Sequence, residues 1–337
     1  MSGLLEIVQE YNPDLPGINS SEAAEDWMLE AQRLERGVAT PRSERILKSW
    51  RDVGLGYPRG GVGSFASYDA IINALTLGQA YPYDFFKIAP SASQGTAGLW
   101  QSLWTATGSP GAGSAPASTP GAAYSQAAGG ITFPAPGSSQ NKFMTTFGAT
   151  ANQTCVLALY DRLVGVGSVS LTSTGNKTVS SATLPTGRYD SSTTALNNEA
   201  WFEVTTASTT TIAVVTMNSY TTGDGTSGQT GTALTFPAAA TVLTWAGKLP
   251  LLASKPGIQA CSTVNPGTAT TLGVVNFVIK RPLAYLPIIS GQWNERDMVL
   301  QLTALPQILD NATLDFNILA PSGVTTTVWG NLRTVYG

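Results

Sequence analysis

The chain has 337 residues, of which 12% are charged, and its formal net charge is -3. This length suffices for two domains or for one large domain with an extension. Charged residues are about half as frequent as in an average globular protein, which predicts that much of the surface packs against partner proteins. The slight acidic excess argues against a nucleic-acid-binding surface, and no apolar stretch approaches the roughly 20 residues of a membrane-spanning helix.

Residues 1–90 carry the helical periodicity of the chain and predict a helical N-terminal arm. A capping-box pattern at 19–22 precedes a first apolar face, and Thr40-Pro41 is a favourable start for a second helix. A third helix is predicted at 67–77. The three apolar faces consist of Ala24, Trp27, Met28, Ala31 and Leu34, of Ile46, Leu47, Trp50 and Val53, and of Tyr68, Ile71, Ile72 and Leu75. Because helices this short are marginal alone, packing must hold them.

An aromatic cluster closes this segment and consists of Tyr81, Tyr83, Phe85 and Phe86. One interpretation is a docking site for a neighbouring subunit, with Trp27 and Trp50 of the arm as further anchors. The alternative is a hydrophobic seal between the helices and the rest of the chain. The sequence leaves both interpretations open.

Residues 91–150 are poor in charge and rich in small residues. Lys142 is the single charged residue between Ile88 and Tyr160, and Gly, Ser, Ala, Pro and Thr dominate the stretch 108–137. Such a composition buries too little apolar surface to offset its ordering entropy. It therefore predicts a linker between the arm and the following domain.

Residues 151–337 predict an antiparallel β-sandwich. Roughly ten runs of strand length, rich in β-branched and aromatic residues, are separated by Gly, Asn, Ser or Pro. No helical pattern lies between them, which favours a jelly-roll-like sandwich over a barrel. Along 325–336 the alternation places Trp329, Asn331 and Arg333 on one face, opposite the apolar residues.

The chain contains no histidine, which removes Ser-His-Asp and Cys-His catalytic arrangements and histidine metal sites. The remaining route to catalysis is a pair of carboxylates across a groove, as in glycosidases. Two pairs have same-face spacing, Glu199 with Glu203 and Glu295 with Asp297, and solvated surface acids explain each pair as well. We expect no enzymatic activity, no cofactor and no metal.

Two further features favour a structural interpretation. The glycine-rich stretch 223–231 has Asp224 as its single acidic residue, too few for a tight calcium site, so a loop joining two strands is predicted. Cys155 and Cys261 lie within predicted strands. Buried free thiols are favoured there, with a disulfide between them as the alternative.

A polar-aromatic cluster at 292–297 contains Trp293 and Arg296. Trp and Arg dominate the hot spots of protein interfaces, so one interpretation is a binding surface centred on these two residues. In the alternative, Trp293 fills the end of the sandwich while the charges pair in solvent.

Several motifs resemble those of virion structural proteins of tailed bacteriophages. They are the runs 159–163 (LYDRL), 175–179 (GNKTV), 217–220 (MNSY) and 234–237 (LTFP), together with the 292–297 cluster. The resemblance covers about residues 152–337 and the style of the N-terminal arm. It implies a head component. A decoration (cement) protein fits a separable helical arm followed by a β-sandwich better than a major capsid protein does.

The partners implied by this resemblance are the major capsid protein or neighbouring virion subunits, at the capsid surface after synthesis in the host cytoplasm. Weakly charged β surfaces need burial, and shells and decorations commonly close around three-fold axes, so a homotrimer is predicted. The arm would grip the capsid lattice while the β-sandwich stands outward. Two alternatives stay open, a tail, neck or fibre component and a carbohydrate-binding β-sandwich.

Overall fold

The computed structural model describes residues 68–77, 80–89, 100–118, 121–134, 141–179, 183–206, 214–235, 246–267, 269, 273–301, 305–319 and 325–336. All of them belong to one unit of the chain, Gly60–Gly337. The first two predicted helices, with Trp27 and Trp50, lie outside the described residues. Within the described ranges, no helix has the length and apolarity needed to cross a membrane.

The described residues are predominantly β-structure, which confirms the predicted fold class. In chain order the elements are α1 (Tyr68–Thr76), β1 (Ala80–Ile88), β2 (Trp100–Ser102), β3 (Thr107–Ser109), β4 (Ala122–Ala123), a 3-10 helix (Gln126–Ala128), β5 (Lys142–Ala151), β6 (Cys155–Ser170), β7 (Lys177–Thr178), a 3-10 helix (Ala195–Asn197), β8 (Glu199–Thr206), β9 (Val214–Thr222), β10 (Leu234–Thr235), β11 (Ala246–Lys248), β12 (Ile258–Pro266), β13 (Val274–Ile288), β14 (Asn294–Asp297), α2 (Met298–Gln301), β15 (Gln307–Ile308), β16 (Leu314–Leu319) and β17 (Thr327–Tyr336).

The strands pair in an antiparallel manner and build three sheets. The first sheet has the order β14-β5-β17-β1-β3, with β15 also pairing with β5. The second has the order β11-β8-β13-β6-β16-β2, with β4 also pairing with β6, and the third has the order β10-β9-β12-β7. The long strands β6 and β13 pair from Cys155 with Ile288 to Val274 with Ser170.

Two hydrophobic cores hold the three sheets together, and the second sheet contributes to both. The first core joins the first and second sheets through Phe85, Phe147, Leu157, Leu159, Phe316 and Leu332. The second core joins the second and third sheets through Leu163, Phe202, Met217, Val264 and Phe277. Truncating one such side chain to alanine typically costs about 2–5 kcal/mol. The fold is therefore a β-sandwich whose seven-stranded sheet is the shared layer.

The third predicted helix is confirmed as α1. Its residues Ile71 and Ala74 pack with Phe143 of β5 and Val335 of β17 in a small cluster. This packing supplies the stability that a nine-residue helix lacks alone. The predicted alternation along β17 is confirmed too, because Trp329 is exposed and the apolar residues on either side of it are buried.

Strand pairing continues through the ranges that the sequence assigns to arm and linker. β1 pairs with β17 along its whole length, from Ala80 with Val335 to Ile88 with Thr327. β5 lies in the middle of the first sheet, between β14 and β17. The sandwich therefore begins before residue 151, and the linker prediction is wrong for the described part of 91–150.

Close backbone packing explains why the small residues of this stretch are ordered. Gly165 and Gly167 lie on β6, and an added Cβ would meet Tyr124 at 2.6 Å in the first case and the carbonyl oxygen of Pro116 at 2.3 Å in the second. An added Cβ at Gly113 would meet the ring of Trp104 at 2.1 Å. Glycines in the ranges 100–118 and 121–134 and in β6 thus let the backbone of these two ranges lie directly on the second sheet.

Candidate functional site

The outer face of the first sheet carries three neighbouring aromatic residues, Phe86, Trp293 and Trp329, which we call the aromatic face. Trp329 of β17 pairs with Phe86 of β1, and their ring centroids are 5.6 Å apart. Trp293 precedes β14, and its indole lies over Gly148 of β5, where an added Cβ would meet the ring at 2.5 Å. Because Gly148 has no side chain, it leaves room for the indole of Trp293 on the sheet.

Both tryptophans border β5 on the same face of the first sheet, Trp329 from β17 and Trp293 from the position before β14. Trp329 pairs with Thr150 of β5, which puts Gly148 at the diagonal position, roughly 7–8 Å away. Trp293 is 53% exposed and Trp329 is 44% exposed. Two large, partly exposed indoles thus lie on the same face of the first sheet.

Polar side chains surround the aromatic face. Glu295 accepts a hydrogen bond from the indole nitrogen of Trp293 at 3.1 Å. Asn331, between the two tryptophan positions, donates to Asp84 at 2.6 Å. An apolar centre within a polar rim is the usual anatomy of a protein interface.

The structure separates the four predicted anchors of the 81–86 cluster. Tyr81 is exposed, Tyr83 is half-buried and Phe85 is buried in the first core. Phe86 is half-buried and belongs to the aromatic face. The prediction of Phe85 as an interface anchor is therefore wrong, because successive side chains of β1 point to opposite faces and that of Phe85 points into the core.

The two predicted residues of the 292–297 cluster also differ. The exposure of Trp293 contradicts the interpretation in which it fills the end of the sandwich. Arg296 is half-buried, and its guanidinium donates to the carbonyl oxygen of Tyr285 on β13 at 2.9 Å. Trp293 is thus available to a partner, while Arg296 ties β14 to β13.

The second sheet carries a buried ion cluster of Arg162, Glu203, Lys280 and Asp315, from the adjacent strands β6, β8, β13 and β16. Arg162 donates to both carboxylate oxygens of Glu203, at 2.8 and 2.6 Å, and to Asp315 at 2.9 Å. Lys280 Nζ lies 2.6 Å from Glu203 Oε1 and donates to Asp315 Oδ2 at 2.8 Å. All four residues are buried, and two cations balance two carboxylates.

Strand register brings these four residues to one face. Lys280 pairs with Arg162 across β13 and β6. Asp315 pairs with Tyr160, two residues before Arg162 on β6. Because side chains two residues apart share a face, these positions lie on the side of the sheet opposite Leu159 and the cores.

Two aromatic rings enclose the guanidinium of Arg162. Its central carbon is 4.7 Å from the ring centroid of Trp104 and 4.7 Å from that of Tyr124. A desolvated cation over an aromatic ring gains about 2 kcal/mol or more. Both rings come from the range predicted as a linker, so this range shields the cluster from water.

A second buried ion pair lies on the opposite face of β6. Arg188 donates to both carboxylate oxygens of Asp161, and it also donates to the carbonyl oxygen of Tyr124 at 2.6 Å. Asp161 accepts a further bond from the backbone nitrogen of Thr313 at 2.9 Å. Since Asp161 and Arg162 are consecutive in a strand, their side chains point to opposite faces.

Mutual attraction keeps Glu203 and Arg162 charged despite their burial. Burial alone would raise the pKa of Glu203, but the charges of Arg162 and Lys280 outweigh it and hold that pKa well below its ordinary value. Burial likewise would lower the pKa of Arg162, and Glu203 and other neighbours raise it above the ordinary value instead. These groups therefore do not change protonation near neutral pH.

Glu199 and Glu203, the first of the two carboxylate pairs considered for catalysis, are both buried and both bonded to other side chains. Glu203 belongs to the ion cluster. Glu199 accepts from Lys248 and, at 3.0 Å, from the indole nitrogen of Trp201. The geometry accounts for both carboxylates as ion-pair partners within the fold.

The remaining sequence candidates are structural in the described residues. Asp224 accepts bonds from Thr222 and from the backbone nitrogen of Thr226, which closes the loop after β9. Cys155 and Cys261 are buried free thiols, as the favoured prediction had it. No group of three or more His, Cys, Asp or Glu side chains that could hold a metal occurs in the described part of the chain.

Sequence reasoning did not find the ion cluster, although the sequence contains a signal for it. Glu203 and Asp315 are charges flanked by apolar residues within strand runs, Arg162 follows Asp161 in an apolar run, and Lys280 ends such a run. A lone charge in a strand buried on both faces requires a partner. Which partner it meets depends on strand order, which the runs themselves do not contain.

Comparisons with known proteins add little to this picture. No protein-family model and no curated protein matches the chain. Among solved structures, a VP2 subviral particle of infectious bursal disease virus is 10% identical, with a TM-score of 0.15, over 83% of this chain and 85% of that chain. A structure of the Gt strain of that virus is 9% identical, with a TM-score of 0.16, over 84% and 85%. Similarities this weak carry no argument about fold or function.

Proposed function

We propose that this chain is a structural component of a phage virion, which decorates or cements the capsid through protein–protein contacts. The aromatic face is the observation that carries the proposal. Trp is among the residues most enriched in interface hot spots, and soluble monomers rarely keep large contiguous apolar patches exposed. Trp293 and Trp329 stand in solvent on a sheet that extensive strand pairing keeps rigid.

The composition of the chain supports the same proposal. The low charged fraction of 12% suits a surface that is largely covered in an assembly. The partners would be the major capsid protein or neighbouring virion subunits, and a homotrimer at the capsid surface remains our proposal for the assembly. In this arrangement the first two predicted helices, with Trp27 and Trp50, would attach to the capsid, and so would the aromatic face.

The first experiment measures the copy number of the chain in purified virions. A stained gel is expected to show it in a fixed, high ratio to the major capsid protein. A few copies per particle would instead indicate a tail, neck or fibre component. Absence from the particle would contradict the proposal.

The second experiment tests the aromatic face itself with the variant Trp293→Ser/Trp329→Ser. Loss of one hot spot costs about 2 kcal/mol or more, so occupancy on particles is expected to fall at least tenfold at limiting concentration. Leu77→Ser is the control, because Leu77 is 75% exposed and lies before the start of β1, whereas Phe86 of the aromatic face lies near the end of that strand. Normal occupancy of the double variant would contradict the role of the aromatic face.

The aromatic face also favours a second candidate, a carbohydrate-binding β-sandwich. Two indoles on one face of a sheet suit stacking against sugar rings, and the rim residues Glu295 and Asn331 could bond to hydroxyl groups. A glycan array distinguishes the two functions. Binding that the Trp293→Ser/Trp329→Ser variant loses would favour carbohydrate recognition over capsid decoration.

A further inference from the structure

The ion cluster contains a lysine and an asparagine in reactive geometry. Lys280 Nζ donates to Asn317 Oδ1 at 3.0 Å, and both residues are fully buried. Because a C=O bond is about 1.2 Å long, the amide carbon of Asn317 lies within about 4.2 Å of Nζ. Reacting atoms in near-attack geometry are about 3–3.5 Å apart, so a small side-chain rotation closes the remaining distance.

A carboxylate stands beside both reacting groups. Asp315 Oδ2 accepts from Lys280 Nζ at 2.8 Å, and Asp315 lies two residues before Asn317 on the same face of β16. Lys280 also lies 2.6 Å from Glu203 Oε1. Arg162 bonds to both oxygens of Glu203 but to one oxygen of Asp315, so Glu203 is the more fully neutralised carboxylate. Asp315 is then the group that takes a proton from Lys280.

The side-chain amide nitrogen of Asn317 has an unsatisfied hydrogen-bonding capacity. Asn317 Nδ2 is buried and has no hydrogen-bond partner among the described residues. A buried donor without an acceptor costs free energy that most folded proteins avoid. Loss of this nitrogen as ammonia would remove the unsatisfied donor.

We propose that Lys280 and Asn317 form an intramolecular isopeptide bond, with Asp315 as the proton carrier. The bond would join β13 to β16 across β6, which lies between them. It would close a loop between two residues that are 37 positions apart. The proposal is independent of the virion function.

The reaction needs no co-reactant, and its atoms and charges balance. The Lys280 ammonium first gives a proton to the Asp315 carboxylate. The free amine then attacks the amide carbon of Asn317, a C–N bond forms, and the carbonyl electron pair moves to Oδ1. On collapse the bond to Nδ2 breaks, and Nδ2 leaves as ammonia with one proton taken from the attacking nitrogen. The products are a secondary amide, neutral Asp315 and ammonia.

The charge balance of the site is kept in the product. Arg162 remains paired with Glu203, and the neutral acid of Asp315 can donate to the new amide oxygen. Bringing amine and amide together in a fixed geometry replaces a slow reaction between separate molecules, which is the origin of high effective molarity. The enclosing rings of Trp104 and Tyr124 keep competing water out.

Mass spectrometry of the denatured full-length protein tests the proposal. The expected mass is the sequence mass minus one molecule of ammonia. Without the bond, trypsin cleaves after Lys280 and Arg296 and yields the peptides 249–280, 281–296 and 297–333, since Lys255 and Arg281 precede proline and no basic residue lies within 297–332. With the bond present, Lys280 is no longer cleaved, so 249–296 stays in one piece and remains joined to 297–333. Fragmentation of the joined peptides locates the link at Lys280 and Asn317.

Variants distinguish this bond from other losses of mass. Lys280→Arg and Asn317→Ala are expected to have their full masses, and Asp315→Asn is expected to lose most of the link. Lys248→Arg, on the neighbouring β11, is the control that keeps it. A full mass for the unaltered chain would overturn the proposal, and so would an ammonia loss that persists in Lys280→Arg. Loss of water instead of ammonia would overturn Asn317 as the acceptor. The digest of the unaltered chain decides the matter even where a variant fails to fold.

Discussion

Replacing Arg162 with methionine is expected to destabilise the protein strongly. Methionine keeps part of the side-chain length but removes the charge that balances Glu203 and Asp315. Glu203 then lacks its main partner, whether Lys280 is a free ammonium shared with Asp315 or is joined to Asn317 beside a neutral Asp315. Removing one partner of a buried ion pair typically costs about 3–5 kcal/mol, and the contacts with Trp104 and Tyr124 lose their cation–π component as well.

Thermal unfolding followed by tryptophan fluorescence measures this cost. For a domain of this size a loss of 1 kcal/mol lowers Tm by roughly 2–4 °C, so the expected decrease is on the order of 10 °C. Arg333→Met is the matched control. It makes the same substitution on the exposed side of β17, where a change of about 0.5 kcal/mol or less is expected.

A double variant tests whether charge balance is the cause. Glu203→Gln alone leaves one excess positive charge in the cluster, whereas Arg162→Met/Glu203→Gln leaves the cluster balanced, and both statements hold whether or not Lys280 is joined to Asn317. The double variant is therefore expected to be more stable than the sum of the single losses predicts, by about 0.5–3 kcal/mol. Additive losses, or an Arg162→Met variant as stable as Arg333→Met, would refute the reasoning.

Three further predictions concern truncation, pH and thiol reactivity. Deleting residues 1–66 is expected to leave the three sheets folded, whereas deleting residues 1–90 also removes β1 from the first sheet and is expected to unfold the protein; circular dichroism of the two truncated chains checks this, and a folded 1–90 deletion would contradict it. Stability is expected to be constant between about pH 5.5 and about pH 7.5, since the chain has no histidine. It should fall below about pH 4, because the lowered pKa of Glu203 stabilises the fold above its unfolded pKa of about 4.3, and this contribution is lost as the pH falls toward the folded pKa. A sharp change of Tm near neutrality would count against this. Burial raises the pKa of Cys155 to about 11 and that of Cys261 to about 12, so a thiol reagent at pH 8 should label the protein only after denaturation, and rapid labelling of the folded chain is the contrary result.

Periodicity predicted the elements that have one buried face and one solvated face, because apolar and polar residues then recur at the spacing of the helix or strand. α1 was predictable because its apolar residues recur at helical spacing. β17 was predictable because one of its faces is solvated, which leaves Trp329 and Arg333 alternating with apolar residues. β1 lies in the range predicted as the helical arm. Pro82 and Asp84 interrupt its aromatic residues, so its strand character becomes visible only through the pairing with β17.

The exposure of the predicted anchor residues divides along the same line. Trp293 was found from its residue type and neighbours, and the structure leaves it exposed. Trp329 was placed on a face by alternation, but its proximity to Trp293 follows from the order of β14, β5 and β17. Phe85 was misjudged, because membership of an aromatic cluster does not state which side of a strand a ring occupies.

The β-sandwich class, the burial of both cysteines and the lack of histidine chemistry could be predicted from the residues alone. These properties depend on composition and on the local period of apolar residues. The role of 100–118 and 121–134 became clear only in the folded chain, where the small residues of these ranges contact the glycines of β6. The ion cluster also exists only there, since Arg162, Glu203, Lys280 and Asp315 come from four different strands. Their attraction exists only once strand order and register place them on one face, and no local pattern contains that order.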